Sequence, residues 1–303
     1  MKRSTKLGMA AFAALLGGFG LYAATTSPPL LLSQLDAAMG GGKGARLVAE
    51  AVRFGSHGQT LDVWRAEGAS AGDKRPVLIF WHGGGWVKGA RQDYAFAGRA
   101  LAREGFVVVI PDYRKVPEVH FPAFVQDGAQ AVAWVRDNID RFGGDPQRIA
   151  FSGHSAGAHT AVLLALDPRW LKAADVDPGI VKAVVGLSGP YDFYPFTTKR
   201  SIDAMGQYAD PKVTQPIDQA RADAPPMLLV TSTRDETVRP RNAINLSRRL
   251  TALGAPAELI NYRGLDHEEV VMALSVPFRS KGPVLADSTA FLNRHLGKTG
   301  VQD

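Results

Sequence analysis

A serine inside a G-x-S-x-G motif, at residues 153–157, is the first candidate for chemistry in this chain. An apolar run suited to a strand precedes the motif at 148–152, and a helical pattern begins directly after it. Ser155 would then lie on a sharp strand-to-helix turn, where the flanking glycines avoid clashes and leave the hydroxyl exposed near a helix N-terminus. The motif therefore indicates a nucleophilic serine, with an ordinary glycine turn as the alternative.

A second glycine-rich segment reads H-G-G-G-W at residues 82–86, directly after the apolar run 77–81. Three successive glycines leave their backbone N–H groups free of side-chain cover. In an acyl-transfer enzyme such a loop directs one or two N–H donors at the developing oxyanion, and the N–H of Ala156 completes the set. The alternatives are a flexible loop or a phosphate-binding turn, although the G-K-[ST] and G-x-G-x-x-G patterns are absent here. We expect His82 to brace the loop.

A serine hydroxyl needs a base to take its proton, and a carboxylate must orient that base. Asp235 follows the apolar run 227–231, and His267 follows the run 257–262. Catalytic groups lie at the carboxyl ends of strands in parallel sheets, so both positions suit the chemistry. The chain order Ser155, Asp235, His267 is also that of α/β-hydrolases.

Other residues compete for these roles. Glu236 is the main alternative acid, because loop positions are predicted only to within a few residues. Asp203 is a further alternative, and Asp266 is better interpreted as a local loop residue. His295 is the other histidine that follows Asp235, and we interpret it as a surface residue of a terminal helix.

The surrounding pattern predicts an α/β fold, with a mostly parallel central sheet and helices on both faces. Strands are predicted at residues 61–65, 77–81, 106–110, 148–152, 181–187, 227–231 and 257–262. Helices are predicted at about 94–103, 122–139, 155–166, 239–253 and 284–295. Residues 61–303 would form one catalytic domain, and residues 25–60, rich in glycine and proline, would be a linker leading into it.

The chain begins with a segment that differs from the rest. Lys2, Arg3 and Lys6 precede an uncharged apolar stretch at residues 7–24. A positive region followed by an apolar one predicts a signal peptide or an N-terminal membrane anchor, and either would place the catalytic domain outside the cytoplasm. The alternative is a buried N-terminal helix, which four glycines and the lack of a polar face disfavour.

Composition narrows the classes of function. The 303 residues include no cysteine, which excludes disulfides, a thiolate nucleophile and cysteine-ligated metals. The net charge of +6 comes with no long basic run interleaved with aromatics after the N-terminus, so we expect no nucleic-acid partner. We expect no metal or organic cofactor, and membrane contact only through the N-terminal segment.

Five segments resemble the α/β-hydrolase esterases of the hormone-sensitive-lipase and bacterial carboxylesterase type. They are HGGGW at 82–86, DYR at 112–114, FPA at 121–123, GGDP at 143–146 and GHSAG at 153–157. The resemblance implies a serine carboxylic-ester hydrolase that acts on small or medium esters, small-molecule substrates, through an acyl-enzyme intermediate. In such an enzyme Ser155 would be the nucleophile, His267 the base and then the acid, and Asp235 the acid that orients the base. The resemblance also implies an oxyanion hole made by the N–H groups of Gly83, Gly84 and Ala156.

Two observations bear on the substrate. The sequence GHSAGAH at 153–159 is closer to kynurenine formamidases and to bacterial feruloyl or acetyl esterases, so an amide or formamide hydrolase is the alternative to an esterase. A non-catalytic binding module on the hydrolase fold is a third possibility. Residues 189–226 are predicted as a short lid-like insertion with aromatic walls. The expected substrate contacts are Trp86, His154, Tyr191 and Phe193.

Overall fold

The computed structural model describes residues 26–297, which form one eight-stranded sheet covered by helices. The strands are β1 Ala45–Phe54, β2 Gln59–Ala66, β3 Arg75–Trp81, β4 Val107–Pro111, β5 Gly144–His154, β6 Val181–Leu187, β7 Met227–Ser232 and β8 Ala257–Tyr262. The α-helices are α1 Pro28–Asp36, α2 Ala95–Arg103, α3 Ala123–Asn138, α4 Ala156–Leu166, α5 Pro168–Ala173, α6 Lys199–Met205, α7 Arg241–Ala252, α8 His267–Met272 and α9 Val284–Leu296.

The sheet has the strand order β1-β2-β4-β3-β5-β6-β7-β8. β2 runs antiparallel to both of its neighbours, and all strands from β4 to β8 pair in parallel. The carboxyl ends of β3, β5, β7 and β8 therefore meet at one edge of the sheet. The predicted α/β fold with a mostly parallel sheet is confirmed.

Successive residues of β3 point to opposite faces of the sheet, as the pleat of a strand requires. Val77, Ile79 and Trp81 belong to the apolar core that includes α3 and α4. Leu78 and Phe80 belong to the second core, which includes α2 and α9. All five side chains are fully buried. A strand buried on both faces reads as a continuous apolar run, which is why the sequence pattern detects it.

The seven predicted strands coincide with β2 to β8, and the five predicted helices with α2, α3, α4, α7 and α9. The structure differs at residues 25–60, which we expected to be a linker. α1 begins at Pro28 and is capped by Ser27, whose Oγ accepts from the N–H of Leu30. β1 is an edge strand with two register shifts, and these disturb the alternation that would reveal a strand.

The segment 189–226 between β6 and β7 contains α6 and two short 3-10 turns, Pro211–Thr214 and Pro216–Gln219. Its first part is fixed by amide side chains. Gln215 Oε1 accepts from the N–H groups of Phe193 and Tyr194 over 2.8 and 3.1 Å. Asn242 Oδ1, on α7, accepts from the N–H groups of Tyr191 and Asp192, each over 2.9 Å. The segment is therefore folded onto the domain beside the carboxyl edge of the sheet.

The predicted targeting segment, residues 1–24, lies outside the described residues. Within residues 26–297, every helix is too short or too polar to cross a bilayer.

Candidate active site

Ser155 lies on the turn between β5 and α4, with φ 55° and ψ −121°. This positive φ costs energy in a residue other than glycine, and the close packing of the turn maintains it. A Cβ on Gly157 would stand 2.1 Å from the carbonyl oxygen of Trp81, and one on Gly153 would stand 2.5 Å from the backbone of Gly157. The N–H of Ser155 donates to the carbonyl of Leu187 on β6 over 2.9 Å. Only glycine therefore fits at the flanking positions.

The side chains of Ser155, His267 and Asp235 form a continuous hydrogen-bond series. His267 Nε2 lies 2.9 Å from Ser155 Oγ, and His267 Nδ1 lies 2.9 Å from Asp235 Oδ2. Because a carboxylate only accepts, Nδ1 carries the proton and Nε2 is free to accept from the serine hydroxyl. The other oxygen, Asp235 Oδ1, accepts from the N–H of Val238 over 2.8 Å, which fixes the carboxylate in its loop.

The glycine loop after β3 has a backbone that other residues would not tolerate. Gly84 and Gly85 have φ of +126° and +63°, and a Cβ on Gly84 would stand 2.0 Å from the carbonyl oxygen of Lys88. Gly83, Gly84 and Ala156 line the same cavity as Ser155. The three residues predicted to form an oxyanion hole therefore border the cavity onto which Ser155 opens.

His82 lies beneath this loop and is fully buried. Its ring stacks on that of Tyr113 at a centroid distance of 4.3 Å, and its Nδ1 donates to the carbonyl of Gly83 over 2.8 Å. The Tyr113 hydroxyl donates to the carbonyl of His82 over 3.0 Å. Burial lowers the pKa of His82, so the ring is neutral and holds the start of the loop through fixed hydrogen bonds.

His154 was expected to contact the substrate, but its hydrogen bonds are directed into the protein. Its Nε2 lies 3.1 Å from the carbonyl oxygen of His267, and its Nδ1 lies 3.0 Å from the hydroxyl of Tyr94. The hydroxyl of Tyr94 also packs against Gly83, where a Cβ would stand 2.7 Å from it. His154 borders the cavity with 3% of its surface exposed. Tyr94 was not predicted, because nothing in its local pattern distinguishes it from a core aromatic.

A cavity of about 940 Å³ opens above Ser155 and His267. Its apolar wall includes Trp86 and Phe193, whose rings stack at a centroid distance of 6.0 Å. Both were predicted substrate contacts, and both line the cavity. The wall also includes Pro28 and Pro29 of α1, a helix that the sequence interpretation missed.

The prediction that Tyr191 contacts the substrate is wrong, because its side chain does not reach the cavity. Its side chain is fully buried, and its ring fills the space above two glycines. A Cβ on Gly189 would stand 2.4 Å from the ring, and one on Gly186 would stand 2.1 Å from the hydroxyl. The direction of a side chain in an irregular segment depends on such gaps in the core, which the sequence pattern does not reveal.

The competing acids and histidine are occupied elsewhere or point to solvent. Asp266 caps α8 and accepts from the N–H of Glu269 over 2.8 Å, while Asp203 pairs with Lys199 over 2.6 Å. His295 lies 4.7 Å from the ring of Phe291 on α9. Glu236 borders the cavity with an exposed side chain. Within residues 26–297, His, Asp and Glu side chains form no group of three that could hold a metal ion.

The sheet order, the turn at Ser155 and the glycine loop after β3 together define an α/β-hydrolase. The family model BD-FAE matches residues 61–250, well over half of the sequence. The chain belongs to this family.

Curated relatives include several esterases. Esterase LipC of Mycobacterium tuberculosis is 37% identical over 216 residues, covering 64% of this chain and 53% of the relative. Esterase LipQ of the same organism is 31% identical over 247 residues, covering 75% and 57%. The isoprenylcysteine alpha-carbonyl methylesterase ICME of Arabidopsis thaliana is 30% identical over 219 residues, covering 65% and 51%. The chain thus spans about half the length of the curated relatives it matches.

Solved structures establish the fold independently. The carboxylesterase EstE1, cloned from a metagenomic library, superposes with a TM-score of 0.72 at 23% identity, covering 89% of this chain and 98% of EstE1. The butyrate-bound esterase Est2 of Thermogutta terrifontis gives a TM-score of 0.69 at 22% identity, covering 86% and 97%.

Proposed function

We propose that this chain is a serine carboxylic-ester hydrolase that acts on small or medium esters through an acyl-enzyme intermediate. The observation that carries the proposal is the hydrogen-bond series from Asp235 through His267 to Ser155, with 2.9 Å at both contacts. This arrangement supplies a nucleophile, its base and the orienting acid. The esterase names of the relatives LipC and LipQ support the ester class.

Acylation begins when Ser155 Oγ attacks the ester carbonyl while its proton passes to His267 Nε2. The carboxylate of Asp235 stabilises the imidazolium that forms. The carbonyl oxygen becomes an oxyanion, which the N–H groups of Gly83, Gly84 and Ala156 stabilise. When the tetrahedral intermediate collapses, the bond to the alcohol breaks and His267 returns the proton to the leaving oxygen.

Deacylation repeats the same steps with water as the nucleophile. His267 takes a proton from water, the hydroxide adds to the acyl carbonyl, and the second oxyanion occupies the same site. Collapse releases the carboxylic acid, and the proton returns to Ser155 Oγ. The net reaction consumes one water molecule and yields one acid and one alcohol.

The cavity supports a preference for small or medium esters. Its volume of about 940 Å³ lies in the range of pockets that enclose small molecules. The stacked rings of Trp86 and Phe193 provide a flat apolar wall suited to an acyl or aryl group.

Labelling with a fluorophosphonate probe tests the proposal directly. We expect the wild-type protein to be labelled at Ser155 and to hydrolyse 4-nitrophenyl acetate. Ser155→Ala should lose the label and lower kcat by about 10⁴-fold or more. Ser247→Ala, on α7 outside the cavity lining, is the matched control and should retain both. An unlabelled wild-type protein, or a labelled Ser155→Ala variant, would exclude this function.

The substrate class is tested by comparing leaving groups and acyl chains. We expect turnover of 4-nitrophenyl acetate and butyrate to exceed that of 4-nitrophenyl palmitate and of N-formylkynurenine. Faster hydrolysis of N-formylkynurenine would identify the protein as a formamide hydrolase instead of an esterase. Faster hydrolysis of 4-nitrophenyl palmitate would identify the protein as a lipase.

We further propose that the catalytic domain acts outside the cytoplasm, delivered by the segment at residues 1–24. The support is the sequence pattern of Lys2, Arg3 and Lys6 before an apolar stretch. Fractionation of the producing cells and mass spectrometry of the N-terminus test this. Recovery of the full-length chain in the cytoplasm would contradict it.

A further inference from the structure

Four basic side chains bordering the cavity have no hydrogen-bond or ion-pair partner among residues 26–297. They are Lys88, Arg200, Arg239 and Arg241, and all four are exposed. They come from three separate segments: the turn after the glycine loop, the helix α6 of the insertion, and the start of α7 with the residues before it. Unpaired cations therefore border the cavity from three separate segments of the chain.

The acidic residues of the same lining do not balance them. Asp93 is engaged by the hydroxyl of Ser27 over 2.8 Å and by the N–H of Ala90 over 3.1 Å. Glu236 and Glu268 are the other two acidic residues in the lining. Two free carboxylates thus face four free cations, and the mouth of the cavity carries a positive potential that attracts anions.

Arg200 lies beside the glycine loop that follows β3. A Cβ built on Gly85 would stand 2.9 Å from Arg200 Cδ and 3.3 Å from one of its terminal nitrogens. The guanidinium therefore lies against the glycine loop, next to Gly83 and Gly84. It presents up to five N–H donors in a planar fork, a geometry that matches a carboxylate in two parallel hydrogen bonds.

We propose that the preferred substrates are esters that also carry a carboxylate, and that Arg200 binds this carboxylate. The inference rests on the proposed ester hydrolase and specifies its substrate class. A lysine would be a weaker substitute for Arg200, because its point charge lacks the fork that pairs with both carboxylate oxygens.

Two pairs of matched esters test the proposal. In the first pair the charge is on the acyl group: mono-4-nitrophenyl glutarate against 4-nitrophenyl pentanoate. In the second it is on the alcohol: 3-acetoxybenzoate against 3-acetoxybenzamide. The quantity measured is the ratio of kcat/KM for the charged member to that for the neutral member. The ratio is determined for the wild-type protein and for Arg200→Gln, Arg200→Lys and Arg248→Gln.

We expect the wild-type protein to prefer the charged member of at least one pair, and the pair concerned identifies the half of the substrate that Arg200 contacts. Arg200→Gln should lower this ratio about tenfold, as expected for loss of a charged hydrogen bond. Arg200→Lys should lower it less. Arg248→Gln removes an exposed cation of α7 outside the cavity lining and should leave the ratio unchanged.

Two results would overturn the inference: no preference for the charged member in either pair, or equal effects of Arg200→Gln and Arg248→Gln. Its failure is distinguishable from that of the proposed function. If the wild-type protein hydrolyses the neutral esters without a charge preference, the esterase stands and the carboxylate subsite does not. If it hydrolyses none of the four esters, the proposed function fails as well.

Discussion

The imidazole of His154 lies beside that of His267, with 4.8 Å between the ring centroids, and donates from Nε2 to the main-chain carbonyl of His267. Burial lowers the pKa of His154 well below its usual value, so its ring is neutral and Nδ1 carries no proton. Nδ1 therefore accepts from the hydroxyl of Tyr94, which packs against Gly83 of the glycine loop. Two buried hydrogen bonds, from the Tyr94 hydroxyl to His154 and from His154 to the His267 carbonyl, thus connect the glycine loop to the proposed base.

We predict that Tyr94 and His154 act together as positioning residues. Tyr94→Phe removes the donor to His154 Nδ1, and His154→Phe removes the donor to the His267 carbonyl. Each change should lower kcat between about 10- and 100-fold, because small displacements of reacting groups are costly. KM should change little. The double variant should be no slower than the slower single variant, since both act through one series.

Steady-state kinetics on 4-nitrophenyl acetate measures this coupling. Tyr262→Phe is the control, because it removes a hydroxyl that donates to Asp287, and neither residue lines the cavity. It should leave kcat unchanged even if the melting temperature falls. Additive losses in the double variant would show that Tyr94 and His154 contribute separately.

Asp235→Asn tests which carboxylate orients the base. Asparagine keeps an oxygen that accepts from the N–H of Val238, so the loop should fold. Its NH₂ group, however, faces His267 Nδ1 and favours the tautomer that cannot accept the serine proton. We expect kcat to fall about 10⁴-fold. Glu236→Gln should change kcat by less than about threefold; a reversed order of the two effects would assign the acid to Glu236. Thermal unfolding of both variants checks that each is folded.

The proximity of Asp235 and His267 could be predicted from the sequence. Both follow apolar runs that become neighbouring parallel strands, β7 and β8, and the ends of such strands must meet. The turn at Ser155 is similarly local, because the glycines around it are required by contacts within one strand-to-helix connection and with the strand beside it.

Other parts of the site depend on packing between distant segments. Tyr94 precedes α2 and meets His154 at the end of β5, sixty residues later in the chain. No periodicity encodes this contact. The prediction that Tyr191 contacts the substrate was wrong for the same reason. The direction of its side chain follows from the space left by Gly186 and Gly189. The fold class was therefore predictable from strand and helix patterns, whereas the supporting contacts of the site were not.

His159 makes stability depend on pH. The ring is fully buried on α4 and donates from Nε2 to the carbonyl of Thr214 over 2.8 Å. Burial lowers its pKa from 6.5 to about 4. His159 therefore binds a proton more readily in the unfolded chain than in the folded protein. The stabilisation from the neutral, buried ring is complete above about pH 6.5 and declines as the pH falls toward 4. A shift of this size corresponds to about 3 kcal/mol.

Urea denaturation at pH 7.5 and 4.5 measures this contribution. Between these values the wild-type protein should lose more free energy of unfolding than His159→Gln, whose amide donates to Thr214 without titrating. The difference should be about 2 to 3 kcal/mol. His57→Gln, at an exposed position, should lose as much as the wild-type protein. Parallel losses in all three proteins would mean that His159 does not titrate in this range.

Helix α1, in a segment that the sequence pattern predicts to be a linker, is held to α2 by a buried ion pair. Asp36 at its end is fully buried, and its Oδ2 pairs with Arg99 of α2 over 2.8 Å. Its other oxygen accepts from the N–H of Val276 over 2.8 Å. Asp36→Ala leaves the buried Arg99 charge without its carboxylate, with a hydrogen bond to the carbonyl of Ser33 over 2.6 Å still in place. Because the charge is then uncompensated, we expect the free energy of unfolding to fall by about 3 to 5 kcal/mol.

Chemical denaturation of a series of variants measures the contribution of this ion pair separately from that of the packing of α1 on the domain. Asp36→Leu combined with Arg99→Met removes both charges, so it should be less destabilising than Asp36→Ala alone. Asp137→Ala breaks the exposed pair with Arg136, whose side chains are 55% and 33% exposed, and should cost less than about 1 kcal/mol. If Asp36→Ala costs no more than Asp137→Ala, the Asp36–Arg99 pair contributes no more to the stability of the domain than an exposed pair does. The position of α1 beside the cavity would then depend on its other contacts, such as the hydrogen bond from Ser33 Oγ to the carbonyl of Asp93 over 2.8 Å.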